Sequence, residues 1–265
     1  FKLMKKFKIP KKTPLRAIEN FFKKKGLSYL VKLSKSPNAK VNQLIEKEPY
    51  KPDLKDLYRL YHFVYLNKRT TVLEFGSGWS SLIISLALND LKREFHKEVM
   101  KLRRNNPFEI FIVENEKKYL NTTKKKFSTL KNLNITKHFF FSKVRMALFE
   151  NRFATEYLNL PLCNPDFIYL DGPDQFNIKN KINNFNIGHK DMMPMVCDIL
   201  KIEYFLTPGT IILSDGRSAN CKFLLDHFKR NWIHKHDLTN DQHIFYLNDP
   251  CLGKFNKLQL DFYRR

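Results

Sequence analysis

An apolar, β-favouring run that ends at a carboxylate and breaks at once into two glycines leaves few folds open to this chain. The stretch is Thr71-Val72-Leu73-Glu74-Phe75-Gly76-Ser77-Gly78-Trp79-Ser80-Ser81-Leu82. It predicts a strand, a tight turn and a helix that opens on small hydroxyl residues and continues through Leu88. Glycine in such a turn relieves backbone strain and lets a ligand approach the main chain. The Ser80-Ser81 pair can cap a helix whose free N–H groups and positive dipole end suit a polar or anionic ligand. A nucleotide-type ligand is therefore the first expectation.

The details select among nucleotide sites. A dinucleotide fingerprint needs a third glycine, and Ser81 stands there; a phosphate-gripping P-loop needs a lysine after its last glycine, and none follows. Instead Glu74 lies two places before the first glycine, where a carboxylate meets a positive group. The stretch resembles motif I of the class I S-adenosylmethionine-dependent methyltransferases, E/D-x-G-x-G-x-G, with Ser80 in place of the last glycine. The resemblance implies that Glu74 helps hold the cofactor's amino group and that Gly76, Ser77, Gly78, Trp79 and Ser80 lie under its methionine part. It further implies S-adenosylmethionine as cofactor, and not NAD.

From Thr70 onward, β-like runs alternate with helical stretches, the pattern of a parallel sheet covered on both faces. Strands are expected at Thr70 to Phe75, Glu109 to Val113, Ile135 to Phe141, Asp166 to Leu170, Thr210 to Leu213, Ile233 to Asp237 and His243 to Leu247. The fold class is α/β: a Rossmann-like methyltransferase fold with a seven-stranded, mostly parallel sheet and a helical N-terminal extension. Three regions are expected: a basic helical extension over 1–67, the cofactor-binding domain over 68–249, and a tail over 250–265 lying back through Leu252, Phe255, Leu258 and Phe262. Residues 1 to 12 read as patternless surface chain. Thr13-Pro14 and Asp53 look like helix starts, with short segments at 27–33 and 41–45 between them. A charged second helical segment is expected at Leu91 to Arg104, a helical stretch through Ala147 and Phe149, and helices at Asp191 to Leu200 and Cys221 to Arg230.

By the same resemblance, Glu114, at the end of the second strand, takes the ribose-binding role. Ser142, with Lys143, follows the third strand, where the adenine ring is flanked. The fourth strand ends in Asp171-Gly172-Pro173-Asp174 and the fifth in Ser214-Asp215-Gly216-Arg217, delivering carboxylates to the edge where open α/β sheets bind ligands. These ends are similar to those of metal-dependent O-methyltransferases of the catechol type, but Gly216 replaces an Asn ligand. Hard oxygen ligands suit Mg²⁺, yet two carboxylates make an incomplete set, so no metal ligand is assigned. The acceptor is expected among Asp171, Asp174, Asp215 and Arg217, with His189 brought in by a long insertion, Gln175 to Lys190. Asp171 is the expected base, and Arg217 would make the acceptor anionic. O-methylation of a small or sugar-like molecule is the leading activity.

The formal charge is +22, from 48 Lys and Arg against 26 Asp and Glu. Residues 1 to 69 hold 19 basic and 5 acidic side chains, a net +14. Such a region can attract nucleic acid, which keeps RNA binding or modification open as a second reading beside a non-catalytic protein of the same fold. Four dispersed cysteines form no C-x-x-C pair, which fits a reducing cytoplasm. No apolar run is long enough to span a membrane, and the sequence does not define an oligomeric state.

Overall fold

The computed structural model describes residues 6–36, 51–130, 132–189 and 191–265. The expected segment at 41–45 lies outside them.

Among the described residues the N-terminal region forms α1 (Leu15–Lys24), α2 (Ser28–Ser34) and α3 (Leu54–Leu66). The first half of the sheet follows as β1 (Thr71–Phe75), α4 (Trp79–Val99), β2 (Glu109–Glu114), α5 (Lys117–Phe127) and β3 (Thr136–Phe141). A hairpin of β4 (Val144–Phe149) and β5 (Arg152–Tyr157) precedes β6 (Phe167–Leu170) and α6 (Asp198–Ile202). The chain closes with β7 (Ile211–Asp215), α7 (Ser218–His227), β8 (Trp232–Asp237), β9 (Gln242–Leu247) and α8 (Lys254–Arg264).

The main sheet has seven strands in the order β3-β2-β1-β6-β7-β9-β8. The β3-β2-β1-β6-β7 block is parallel throughout, and β9 runs antiparallel to both β7 and β8. This is the Rossmann-like methyltransferase fold expected from the strand pattern. The order reverses at β1, so β1 and its neighbours β2 and β6 open the crevice where such sheets bind ligands.

Each face carries its own core. On one side Val72, Ile110, Ile112, Phe167, Ile211 and Ile244 pack against α1 to α5 and α8. On the other, Leu73, Phe111, Val113, Ile168, Ile212 and Phe245 pack against the β4-β5 hairpin, the insertion, α6 and α7. Sheet residues such as Ile110 and Ile212 are fully buried, each worth roughly 1.5–3 kcal/mol by burial alone. The N-terminal helices therefore share one core with the sheet. Asp90 of α4 ties them down, accepting from Lys25 at 2.6 Å and from Tyr61 at 2.7 Å.

Several expectations need correction. The described part of residues 1 to 12 is docked: Phe7 is buried and stacks on Tyr246 at 5.6 Å, and the Lys8 amide donates to Asn67. The expected helix through Ala147 and Phe149 is a strand. Glu150 and Asn151 both take positive φ, 47° and 62°, which makes the two-residue turn that closes a hairpin onto Arg152–Tyr157. The charged segment after Leu91 continues α4 to Val99, with only Phe95 off helical geometry. Residues 192–197 are not helical, and α6 starts at Asp198. The tail faces the domain through Asn256, Gln259, Leu260, Phe262 and Tyr263, while Leu252, Phe255 and Leu258 are exposed.

Candidate functional site

At the carboxyl edge of the parallel strands a cavity of about 750 Å³ opens between the ends of β1, β2, β6 and β7, the amino end of α3 and one face of α5. The two glycines of the first turn serve it differently. Gly76 has φ +99°, and a Cβ there would meet the Gly172 amide nitrogen at 3.0 Å; a Cβ on Gly172 would come within 2.4 Å of the Gly76 nitrogen. That crossing locks the β1 and β6 ends together, aided by the Asp171 amide donating to Phe75 O at 3.0 Å. Gly78 lines the cavity, and a Cβ there would find nothing within 4 Å. Its missing side chain keeps the cavity open.

Glu74 stands behind Ser80, a wall residue. Ser80 Oγ donates to Glu74 Oε1 at 2.5 Å, but Glu74 Oε2 has no partner although the residue is fully buried. An unpartnered buried carboxylate oxygen is costly unless a donor reaches it. Burial pushes the Glu74 carboxyl up to about 8. Glu114 is held from two sides, accepting from Ser77 Oγ at 2.7 Å and from the Glu116 amide at 2.9 Å, and burial pushes it up to about 7. The Ser77 hydroxyl is thus committed to Glu114. Trp79 lines the cavity beside it.

Burying Glu74 has a consequence for pH. Its folded-state pKa lies above the unfolded value of 4.5, so the folded state holds the extra proton between those limits and stability falls as pH rises from about 4.5 to 8. Glu74→Gln, which keeps a partner for Ser80, removes that penalty. Compared by thermal melting, the variant and the parent should differ little near pH 5 and diverge toward pH 8, the variant melting several degrees higher. A constant difference across that range would contradict the burial.

The second half of the cavity is acidic. Asp171, Asp174 and Asp215 reach it from β6 and β7, joined by Asp53 and Asp56 at the start of α3 and by Asp241. Burial, then the charges of Asp56 and Asp171, raise Asp215 to about 7; burial and Asp53 raise Asp56 to about 6. Asp171 is exposed to the cavity, and desolvation raises its carboxyl against the pull of Arg217. Asp174 closes its own turn, accepting from the Phe176 amide at 2.9 Å, and a pair of 3.1 Å bonds clamps its backbone to Asn115.

Three expected placements change. Arg217 is not free to meet an anion through a full fork: its Nη2 donates to the carbonyls of Asp171 and of Pro173, bracing that loop, while Nη1 is left without a partner. His189 is solvent-exposed beside Asp191, at 3.7 Å, and is not part of the cavity wall. The insertion is stapled elsewhere, with Asn180 bonded to both the amide and the carbonyl of Met146, and of its described residues only the root, Gln175 and Phe176, reaches the cavity. Ser142 is buried and off the wall, its hydroxyl accepting from the Asn159 amide at 2.9 Å.

Sequence reasoning missed the cavity role of Asp53, the N-cap of α3, and of Asp56 in its first turn. It also missed Lys126, hidden in a run of lysines, and Asn115, which sits next to a residue it did choose. Among the described residues no group of three or more His, Cys, Asp or Glu is arranged to hold a metal ion. No helix among them is long and apolar enough to cross a membrane.

No family model and no curated protein matches the sequence. Solved structures do match. An O-methyltransferase from Bacillus cereus in complex with SAH is 13% identical, with 88% of this chain and 97% of that one covered and a TM-score of 0.46. The O-methyltransferase TomG from Streptomyces achromogenes, involved in tomaymycin synthesis and in complex with SAM, is 10% identical over 88% and 96% of the two chains, with a TM-score of 0.43. A methyltransferase-like protein from Silicibacter pomeroyi is 10% identical over 83% and 98%, with a TM-score of 0.40. Superpositions this loose carry no functional argument. The fold is set by the strand order itself, and the reading of function rests on the chain's own cavity.

Proposed function

We propose that this chain is an S-adenosylmethionine-dependent methyltransferase that methylates a hydroxyl of a small, uncharged or cationic acceptor. The observation that carries the reading is one cavity with two unlike ends. At one end, beside the Gly78 turn, an unpartnered buried Glu74 oxygen lies behind the wall residue Ser80; at the other, Asp171 follows the end of β6.

The donor set suits the cofactor. Glu74 offers a buried acceptor to an ammonium group, and Glu114 lies at the end of β2 as an acceptor for ribose hydroxyls, which compete there with Ser77. When bound, S-adenosylmethionine supplies an electrophilic methyl whose sulfur takes the bonding pair as the methyl leaves. The protein must hold an acceptor oxygen in line and take its proton. Asp171 takes that proton, with its backbone fixed by Phe75 and Arg217.

The acceptor wall argues against the anionic molecule expected from Arg217. That guanidinium braces loop carbonyls, and Lys51, also on the wall, donates to Ser36 O at 3.0 Å. Six aspartates, Asp53, Asp56, Asp171, Asp174, Asp215 and Asp241, outnumber these two cations on the wall, an acidic excess that disfavours a phosphate backbone as well as a carboxylate. A polyhydroxyl or amine-bearing acceptor fits.

Calorimetry with S-adenosylhomocysteine and with NAD tests the cofactor assignment. Binding of the first alone is expected; binding of NAD alone would sink it.

A further inference from the structure

Lys126 stands apart from the lysines around it. It closes the run Lys124-Lys125-Lys126 in the last turn of α5, and of the three only Lys126 lines the cavity. Its Nζ lies 3.9 Å from the centroid of the Trp79 ring, at the first residue of α4. Lys124, by contrast, turns to Phe139 on the sheet. Among the described residues Lys126 enters no ion pair.

A half-buried ammonium without a carboxylate is costly, and burial lowers its pKa to about 8. The charge that opposes this effect is Glu74, the same residue whose Oε2 has no partner. Lys126 on the wall and Glu74 behind Ser80 therefore flank one end of the cavity, near enough for their charges to interact but not paired with each other. A phosphate placed there would meet Lys126 but be repelled by Glu74; a simple amine would meet Glu74 but be repelled by Lys126. A zwitterion satisfies both.

Resting on the cofactor reading above, we infer that Lys126, seated on Trp79, binds the α-carboxylate of the cofactor's amino-acid end while Glu74 takes its α-ammonium, so that the chain reads the cofactor as an amino acid. Lys126 is then a binding residue that selects for the intact amino-acid tail. Its long stem lies along an aromatic face, which fixes the ammonium over the turn without a second protein carboxylate.

The test compares S-adenosylhomocysteine with 5′-methylthioadenosine, the same thioether nucleoside without the amino-acid groups, by calorimetry on the full chain. Lys126→Met should weaken S-adenosylhomocysteine by ~10–100-fold, the loss of one charge-assisted contact, and leave methylthioadenosine within about 2-fold. Lys126→Arg should restore part of the loss. Equal weakening of both ligands would make Lys126 a packing residue and overturn the inference, as would unchanged affinity for S-adenosylhomocysteine. Lys126→Met must melt with the parent, and if it does not, Lys126→Gln is read by the same ratio of affinities. A parent protein that binds methylthioadenosine as tightly as S-adenosylhomocysteine overturns the inference and leaves the cofactor reading standing; one that binds neither ends both.

Discussion

Asp171→Asn lowers kcat by about 10²–10⁴-fold and leaves the affinity for S-adenosylhomocysteine nearly unchanged. The asparagine keeps the size and the backbone bond of residue 171 to Phe75 O, and it leaves the Arg217 brace in place, because Arg217 holds the carbonyl and not the carboxylate. What it removes is the capacity to take a proton at the acceptor end. Desolvation raises the Asp171 carboxyl, a shift in the direction that makes it a better base, and Arg217 limits that rise so that the ionised form remains accessible. Transfer of a tritiated methyl group into small molecules of a cell extract provides the assay before the acceptor is identified. Parent-like transfer by Asp171→Asn would mean that the catalytic edge lies elsewhere.

The second large effect is on stability. Asp166, fully buried at the start of β6, accepts from the amides of Thr70 and Thr71 at 3.0 Å, from Thr70 Oγ1 at 2.8 Å and from Tyr263 Oη at 2.9 Å. Arg104 lies 3.6 Å from the same carboxylate with its side chain buried, and Arg69, also buried, stacks its guanidinium 4.1 Å from the Tyr263 ring centroid. This network joins β1, β6 and α8 at the end of the sheet opposite the cavity. Asp166→Ala leaves the amides of Thr70 and Thr71 and the Thr70 and Tyr263 hydroxyls without this acceptor and the buried Arg104 guanidinium without its counter-charge, which should cost about 3–5 kcal/mol. Urea unfolding would show it as a lower midpoint at similar slope. An unchanged midpoint would mean that the network is dispensable and that α8 is held by its apolar contacts alone.

How far the sequence could be read depended on whether the cause of each feature was local. β1 and β6 were legible because both are apolar runs cut by a carboxylate and glycine, and the parallel run of the sheet follows from alternation with helices. The β4-β5 hairpin was not, since its turn is Glu150-Asn151 in left-handed geometry, without the glycine that usually marks one. Glu74, Glu114 and Asp171 were named because strand ends point to one edge, where Glu114 and Asp171 line the cavity and Glu74 stands behind its wall. His189 was named for proximity in sequence to that edge, and Asn180 anchors the insertion to Met146 instead. Asp53 was read as a helix start and does cap α3, accepting from the amides of Lys55 and Asp56, while Asp56 was given no role. Their cavity role depends on where α3 docks, which no local pattern encodes. Lys126 is separated from Lys124 and Lys125 only by the direction each faces, and Arg217 was expected to meet a ligand because the loop carbonyls it braces become neighbours only after β6 and β7 pair.

The measurement that bears most directly on the central claim is a calorimetric titration of S-adenosylhomocysteine into the parent and into Gly78→Val. A Cβ at position 78 meets no atom within 4 Å, and its φ of 168° is ordinary extended backbone, so the variant should fold and melt as the parent does. Its side chain would instead enter the space the cofactor's methionine part requires. The account predicts binding to the parent and none detectable to the variant at the same concentrations. Equal binding to both would place the ligand away from the Gly76–Gly78 turn and contradict the account.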